Sequence, residues 1–115
     1  MANNNLIWKK APNSDGVFYS ITKKTDLSPD EIAKGYMKMN PKIEKPKQIS
    51  GNYKTHYMVI EGVVYVQMND DPAIIYQNSE KFTINKQTWY SIRNLSSESS
   101  ILSFNVTKSS SRNAK

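Results

Sequence analysis

The one histidine, His56, lies in the run Lys54-Thr55-His56-Tyr57-Met58. Imidazole suits proton transfer near neutral pH and transition-metal binding, but a metal site needs further nitrogen, sulfur or carboxylate donors nearby. None flanks it. On an alternating strand with Thr55 turned inward, His56 faces out. The chain has no cysteine, which removes thiolate nucleophiles, thiolate metal sites and disulfides together and fits a reducing compartment. Glu61 stands without the second carboxylate that paired acid–base hydrolysis requires. Asp70 and Asp71 precede Pro72, where aspartates serve turn geometry. The serines form no G-x-S-x-G elbow, and Gly16, Gly35, Gly51 and Gly62 are too dispersed to cradle a phosphate. No catalytic residue, metal ligand or cofactor is therefore assigned, and the chain is not expected to be an enzyme.

Charge offers a second kind of chemistry. Sixteen Lys and Arg against ten Asp and Glu give a net charge of +6, which favours acidic partners. Lys34, Lys38, Lys42, Lys45, Lys47 and Lys54 crowd one segment, opposed there by Glu44. Such a run is either a solvated face or a phosphate footprint, and a footprint would bind DNA weakly, without reading sequence and with strong salt dependence. Lys38, Lys42, Lys45 and Lys47 are its candidate residues. Tyr57, Tyr65, Tyr76, Trp89 and Tyr90 fall on expected strands, where core or barrel lining is the expected role. A lumen that they line and that holds a small molecule is the alternative.

These residues are carried by a chain of 115 residues, one domain in size. No apolar run approaches the roughly 18 residues of a membrane span, and the start, Met1 to Lys10, lacks a secretory pattern. Leu6 to Lys9 and Gly16 to Thr22 read as strands parted by the turn residues Pro12 to Gly16. Ser28-Pro29-Asp30-Glu31 has the form of a helix start, predicting a short helix over 28–34 that ends at Gly35. Beyond it come short β-rich runs: Tyr36 to Met39, His56 to Ile60, Val63 to Met68, Ala73 to Tyr76, Lys81 to Ile84, Trp89 to Arg93 and Ser100 to Val106. Lys42 to Lys47, with Pro46, reads as loop or edge. Short strands at regular spacing predict an antiparallel barrel or sandwich. On the last strand Leu102, Phe104 and Val106 share a wholly apolar face. That face either packs within the sandwich or, if outside, forms a patch that a two-fold dimer would bury. These three residues are the candidate dimer interface.

Gly51 to Val106 resembles the cupin family, a double-stranded jelly roll. The second half of the cupin signature runs glycine, proline, glycine, histidine and asparagine at set intervals. Here it falls on Ser79, Asn85, Gln87, Tyr90 and Asn94, so only the asparagine remains, within the apolar frame of Phe82, Ile84, Trp89, Ile92 and Leu95. The first half ends in an acid followed at a fixed interval by glycine, matched by Gly62. Counting back puts Thr55 at the acid and Gln48 and Ser50 near the two histidines. The resemblance thus implies that the metal positions are Gln48, Ser50, Thr55 and Tyr90, none of them the imidazole or carboxylate that a divalent ion needs.

A narrower resemblance is to the C-terminal cupin of the centromere protein C family, carried by Gly35 to Gly62, by the turn at Asp71-Pro72 and by Trp89 to Lys108. It spans well over half the chain, and residues 1–34 match poorly. It implies a cupin domain over 35–106 preceded by an N-terminal extension (1–34), and the tail over 107–115, serine-rich, basic and poor in apolar residues, is expected to be disordered. It further implies a non-catalytic homodimerisation module of the inner kinetochore, in the nucleus at centromeres, that makes its parent protein bivalent and docks other kinetochore or centromere-assembly proteins. The alternatives are a cupin enzyme or sensor, such as a sugar epimerase or isomerase, a metal-free cupin that binds a small molecule, and a basic DNA-binding surface.

Overall fold

Apolar and polar residues alternate along nearly every ordered segment, and each such segment is a strand whose apolar row faces one interior. The structure is a computed structural model that describes residues 7–12, 15–22 and 24–108. Its strands are β1 (Lys9–Lys10), β2 (Val17–Ile21), β3 (Glu31–Met39), β4 (Glu44–Ile49), β5 (Tyr53–Glu61), β6 (Val63–Met68), β7 (Ile74–Gln77), β8 (Lys81–Ile84), β9 (Trp89–Asn94) and β10 (Ser100–Lys108). They form a six-stranded sheet in the order β1-β2-β3-β10-β5-β8 and a four-stranded sheet in the order β4-β9-β6-β7. Neighbouring strands are antiparallel. This is the expected cupin jelly roll. Met37, Met39, Val59, Ile84, Ile92 and Leu102 are fully buried between the sheets, and Phe82 stacks on Tyr57 (5.0 Å) and Tyr76 (4.6 Å).

The predicted helix over 28–34 does not form. Its start signal does: Ser28 N donates to Glu31 Oε1 at 2.8 Å and Glu31 N to Ser28 O at 3.0 Å. The chain makes a short 3-10 turn at Lys24–Asp26 and then enters β3 at Glu31. So short a helix is marginal by itself, whereas β3 pairs on both edges, with β2 and β10, and buries Met37 and Met39. Gly35 is no helix cap. A Cβ there would stand 2.1 Å from Ser20 O, so glycine permits the close approach of β2. β3 runs unbroken through Lys34 and Gly35 and ties β1 and β2 into the main sheet. At the other end β10 continues through Thr107 and Lys108. Leu6 and residues 109–115 of the tail lie outside the described residues.

Candidate functional site

β9 and β4 build the polar part of the interior. Gln48 pairs with Tyr90 and Lys45 with Ile92, with a break in register between Lys45 and Gln48. In a regular strand those two residues would face opposite ways. The irregularity, which takes in Pro46, a residue with no N–H to give a ladder, puts both on the Tyr90 side of the sheet, Lys45 buried and Gln48 still exposed. Lys45 is buried, 6% exposed. Its Nζ donates to Gln48 Oε1 and to the Tyr90 hydroxyl at 3.3 Å, and stands 5.0 Å from the centre of the Tyr90 ring. No carboxylate among the described residues pairs with it. Burial lowers its pKa to about 8. Burial also pushes Tyr19 up to about 12 and raises Tyr57 and Tyr90.

Of the four residues at the inferred metal positions, the structure brings together Gln48 and Tyr90, joined by the Lys45 ammonium. Ser50 is spent elsewhere. Its Oγ donates to Asn85 O at 2.6 Å and accepts from Thr88 N at 3.0 Å, pinning two turns. Thr55 is half-buried on β5, opposite Ile84 and Val106. A divalent ion does not fit an amide oxygen and a neutral phenol already bonded to a cation. No three His, Cys, Asp or Glu side chains converge elsewhere among the described residues. His56 is exposed, its Nδ1 3.2 Å from Thr83 Oγ1 and its Nε2 3.4 Å from Thr107 Oγ1.

The surviving asparagine has a different role. Asn94 is fully buried. Its Nδ2 donates to Met39 O, Asn40 O and Glu98 O at 2.9–3.0 Å, and its Oδ1 accepts from Ser96 N and Ser100 Oγ, both at 2.8 Å. Gly62 lies against the same Ser100, where a Cβ would come within 2.1 Å of Oγ. Asn94, Gly62 and Ser100 thus clamp the end of β3 to the β9–β10 loop and the β5–β6 turn.

Two sequence expectations about surfaces are corrected. Leu102 is fully buried and Phe104 is 8% exposed, and Val106 packs against the same core. The apolar row of β10 is therefore inside the sandwich and is not a dimer face. The candidate basic surface also dissolves. Lys45 is interior, and Lys38 lies over the Trp8 and Phe18 rings (4.9 and 5.6 Å) on the six-stranded sheet. Lys42 donates to Leu95 O at 2.9 Å, and Lys47 is exposed on edge strand β4 of the other sheet. Lysines adjacent in sequence are scattered over different faces.

Two of the aromatics expected to line the core or barrel are exposed instead. Tyr65 and Trp89 are 42% and 47% exposed, and Ile49 and Ile75 join them. Register places Ile49 beside Trp89, and Tyr65 beside both Ile75 and Arg93, on the outer face of the four-stranded sheet. Strand alternation carried the signal: Tyr65 lies between buried Val64 and Val66, and Trp89 beside buried Tyr90.

Two antiparallel sheets with this strand order define a cupin jelly roll. Among the solved structures to which the chain is similar are cupin domains of centromere protein C, the family that its sequence resembles. The Schizosaccharomyces pombe Cnp3 cupin domain matches at a TM-score of 0.80 and 18% identity, over 97% of this chain and 75% of that one. Drosophila melanogaster CENP-C bound to CAL1 matches at 0.74 and 19%, over 90% of this chain and 78% of that one. A predicted oxalate decarboxylase from Thermotoga maritima matches at 0.81 and 12%, over 92% and 96%. At these identities the likeness establishes the fold, which enzymes share. No protein-family model and no curated protein matches the sequence.

Proposed function

We propose that this chain is a non-catalytic cupin of the centromere protein C type, which pairs with a second copy and so makes its parent protein bivalent at centromeres in the nucleus. The observation that carries this reading is the outer face of the four-stranded sheet. Ile49, Tyr65, Ile75 and Trp89 present exposed apolar surface; of the charged residues beside them, Glu44 and Arg93 are directly paired in register, and Lys47, two residues from Ile49, stands on the edge strand. A two-fold axis sets each residue near its own copy, so an apolar face whose charges are one pair and one edge lysine suits self-pairing. The kinetochore context is supported by the sequence resemblance together with the Cnp3 and CENP-C matches. One of those structures is a complex with CAL1, which supports partner docking as a second duty. The absence of catalysis is supported by the interior beside Gln48 and Tyr90, two positions that the cupin resemblance assigns to metal ligands, where the Lys45 ammonium stands instead. The DNA-binding alternative loses support because its lysines do not share a face.

Sedimentation equilibrium from about 1 to 100 µM brackets a dimer of roughly −6 to −8 kcal/mol. The expected result is a concentration-dependent rise toward twice 13.2 kDa, lost in Tyr65→Glu while its thermal midpoint matches that of the wild type diluted to monomer. A monomer throughout, or a Tyr65→Glu variant that still pairs, would overturn this assignment.

A further inference from the structure

Among the described residues the two sheets end on the edge strands β1, β8, β4 and β7. An edge strand offers unpaired N–H and C=O groups to a further strand, and lysine or proline on it discourages such pairing. β1 is Lys9–Lys10, β8 begins at Lys81, and β4 carries Pro46 and Lys47. β7, Ile74–Gln77, has neither residue type. Its backbone directions follow from its neighbours. Val63 N and O bond to Ser96 Oγ and Leu95 N beyond β9, so Val64 and Val66 turn their groups to Tyr76 and Ile74 on β7. At the end of β7, Gln77 N donates to Glu80 Oε1 and Gln77 O accepts from Glu80 N. By alternation the N–H and C=O of Ile75 also point away from β6, and no group among the described residues takes them. A side chain is left uncovered beside them. Ile74 lies opposite buried Val66 in the inward row, which also holds Tyr76 on the Phe82 ring, yet Ile74 is 53% exposed because no strand lies beyond it.

The charge around this edge runs against that of the chain. Residues 61–80 include Glu61, Asp70, Asp71 and Glu80 and no Lys or Arg, in a chain of net charge +6. Asp70 and Asp71 precede β7 and Glu80 follows it, and none of the three has an ion pair among the described residues. Lys81 is turned with Met58 to the outer face of the other sheet.

We infer that β7 accepts an extended segment of a partner protein, apolar at its centre and basic at both ends, as an added strand of the smaller sheet. The segment runs antiparallel to β7, as neighbouring strands do throughout the fold. Its central residue exchanges both backbone bonds with Ile75, and the residues on either side turn inward over Ile74 and Tyr76. Glu80 closes the edge at Gln77, so the ladder ends there and a flanking base meets its carboxylate. At about 3.3 Å per residue, bases four residues apart stand roughly 13 Å from each other, the length of β7. Backbone, side chain and charge thus select the same occupant. A second copy set edge to edge by a two-fold axis would bring Asp70 and Asp71 of one copy against Glu80 of the other. The same acids repel the phosphates of a duplex. The site is the backbone edge of β7, whereas self-pairing is assigned to the outer face of the sheet, so the two assignments stand or fall separately.

The test is fluorescence anisotropy with a labelled peptide Lys-Val-Thr-Val-Lys, compared with Glu-Val-Thr-Val-Glu and with the lysine peptide N-methylated at its threonine amide. The lysine peptide is expected to bind saturably, and the glutamate peptide at least about tenfold more weakly. N-methylation keeps the charges and side chains and removes the N–H that Ile75 C=O would accept, so a loss of at least about tenfold is expected there too. Ile74→Lys gives β7 the guard that the other edges carry, and is expected to weaken binding roughly tenfold with its thermal midpoint unchanged. Amide exchange of Ile75 is expected to slow when the lysine peptide is added. Tyr65→Glu, which removes self-pairing, is expected to bind the peptide as the wild type does. Equal binding of the methylated peptide or of the glutamate peptide would overturn the proposal, as would no saturation by about 1 mM. So would full affinity in Ile74→Lys, unchanged exchange at Ile75, or binding lost in Tyr65→Glu, which would move the contact to the self-pairing face.

Discussion

Along the inward row of β9, Tyr90 and Asn94 are separated only by Ile92, and the cupin resemblance assigns both to one signature. Tyr90 falls where the resemblance puts a metal ligand, and its hydroxyl meets the Lys45 ammonium. Asn94 keeps the signature residue and uses every polar atom of its side chain on neighbouring groups, most of them backbone. Buried backbone carbonyls and N–H groups must find partners in any sequence with this fold, so the position that supplies them is constrained by folding itself. A ligand position is constrained only by its ion, and without one it is free to take a lysine, an amide or a phenol. The backbone tells the same story at Ser79 and Gln87, which stand where the signature has glycine. Their φ values of 73° and 56° retain left-handed geometry in residues that bear a Cβ.

Four substitutions sharpen this contrast, and the clamp carries the largest expected effect. Asn94→Ala takes the side-chain partner from three carbonyls and an N–H and leaves the Ser100 hydroxyl only Ser96 Oγ at 3.3 Å, and is expected to cost at least about 3 kcal/mol by urea unfolding; a loss under about 1 kcal/mol would show that the clamp is dispensable. Lys45→Met is expected to act in the opposite direction, raising stability near pH 7 by about 2–3 kcal/mol, because it removes a buried charge that no carboxylate offsets. The sign follows from the direction of the shift. Lys45 titrates near 8 folded against 10.5 for the free side chain, so the unfolded chain holds the proton more tightly. The penalty is complete below pH 8 and relieved as pH rises toward 10.5. Tyr19, at about 12 against 10, contributes stability below pH 10 that is lost above it. The Lys45→Met advantage should therefore shrink between pH 8 and 10, and chemical unfolding at several pH values would show it. A smaller effect belongs to Ser79→Gly, expected to stabilise by about 0.5–1 kcal/mol through relief of the left-handed backbone. Gln87→Gly should gain less, because Gln87 Nε2 donates to Asn52 Oδ1 at 2.8 Å.

Much of the fold was legible because strand pattern and turn residues agree. Val63–Met68, with Glu61-Gly62 before it and Asn69-Asp70 after, is a strand in sequence and structure alike. The failure at 28–34 has a tertiary cause, since a local capping signal cannot report that β2 and β10 both need a neighbour. The site was legible in what the positions lack and not in what fills them. Lys45 reads as one of a solvated run, and only the register break beside Pro46 turns it inward. Faces were the least legible. Strand alternation separates Leu102 from Ile101 but does not say which row lies inside, and the apolar row of β10 was as compatible with an interface as with the core that it joins.

What sets the ligand end of this row apart is the burial of the Lys45 ammonium beside Gln48 and Tyr90, two positions that the cupin resemblance assigns to metal ligands. Its most direct test is titration of Lys45 by NMR in protein carrying ¹³C at the lysine ε-carbons, with Lys45→Met identifying the resonance. A midpoint at about 8 is the expected result. A midpoint near 10.5 would place Nζ in water, contradict its burial against Gln48 and Tyr90, and reopen the lumen to a ligand.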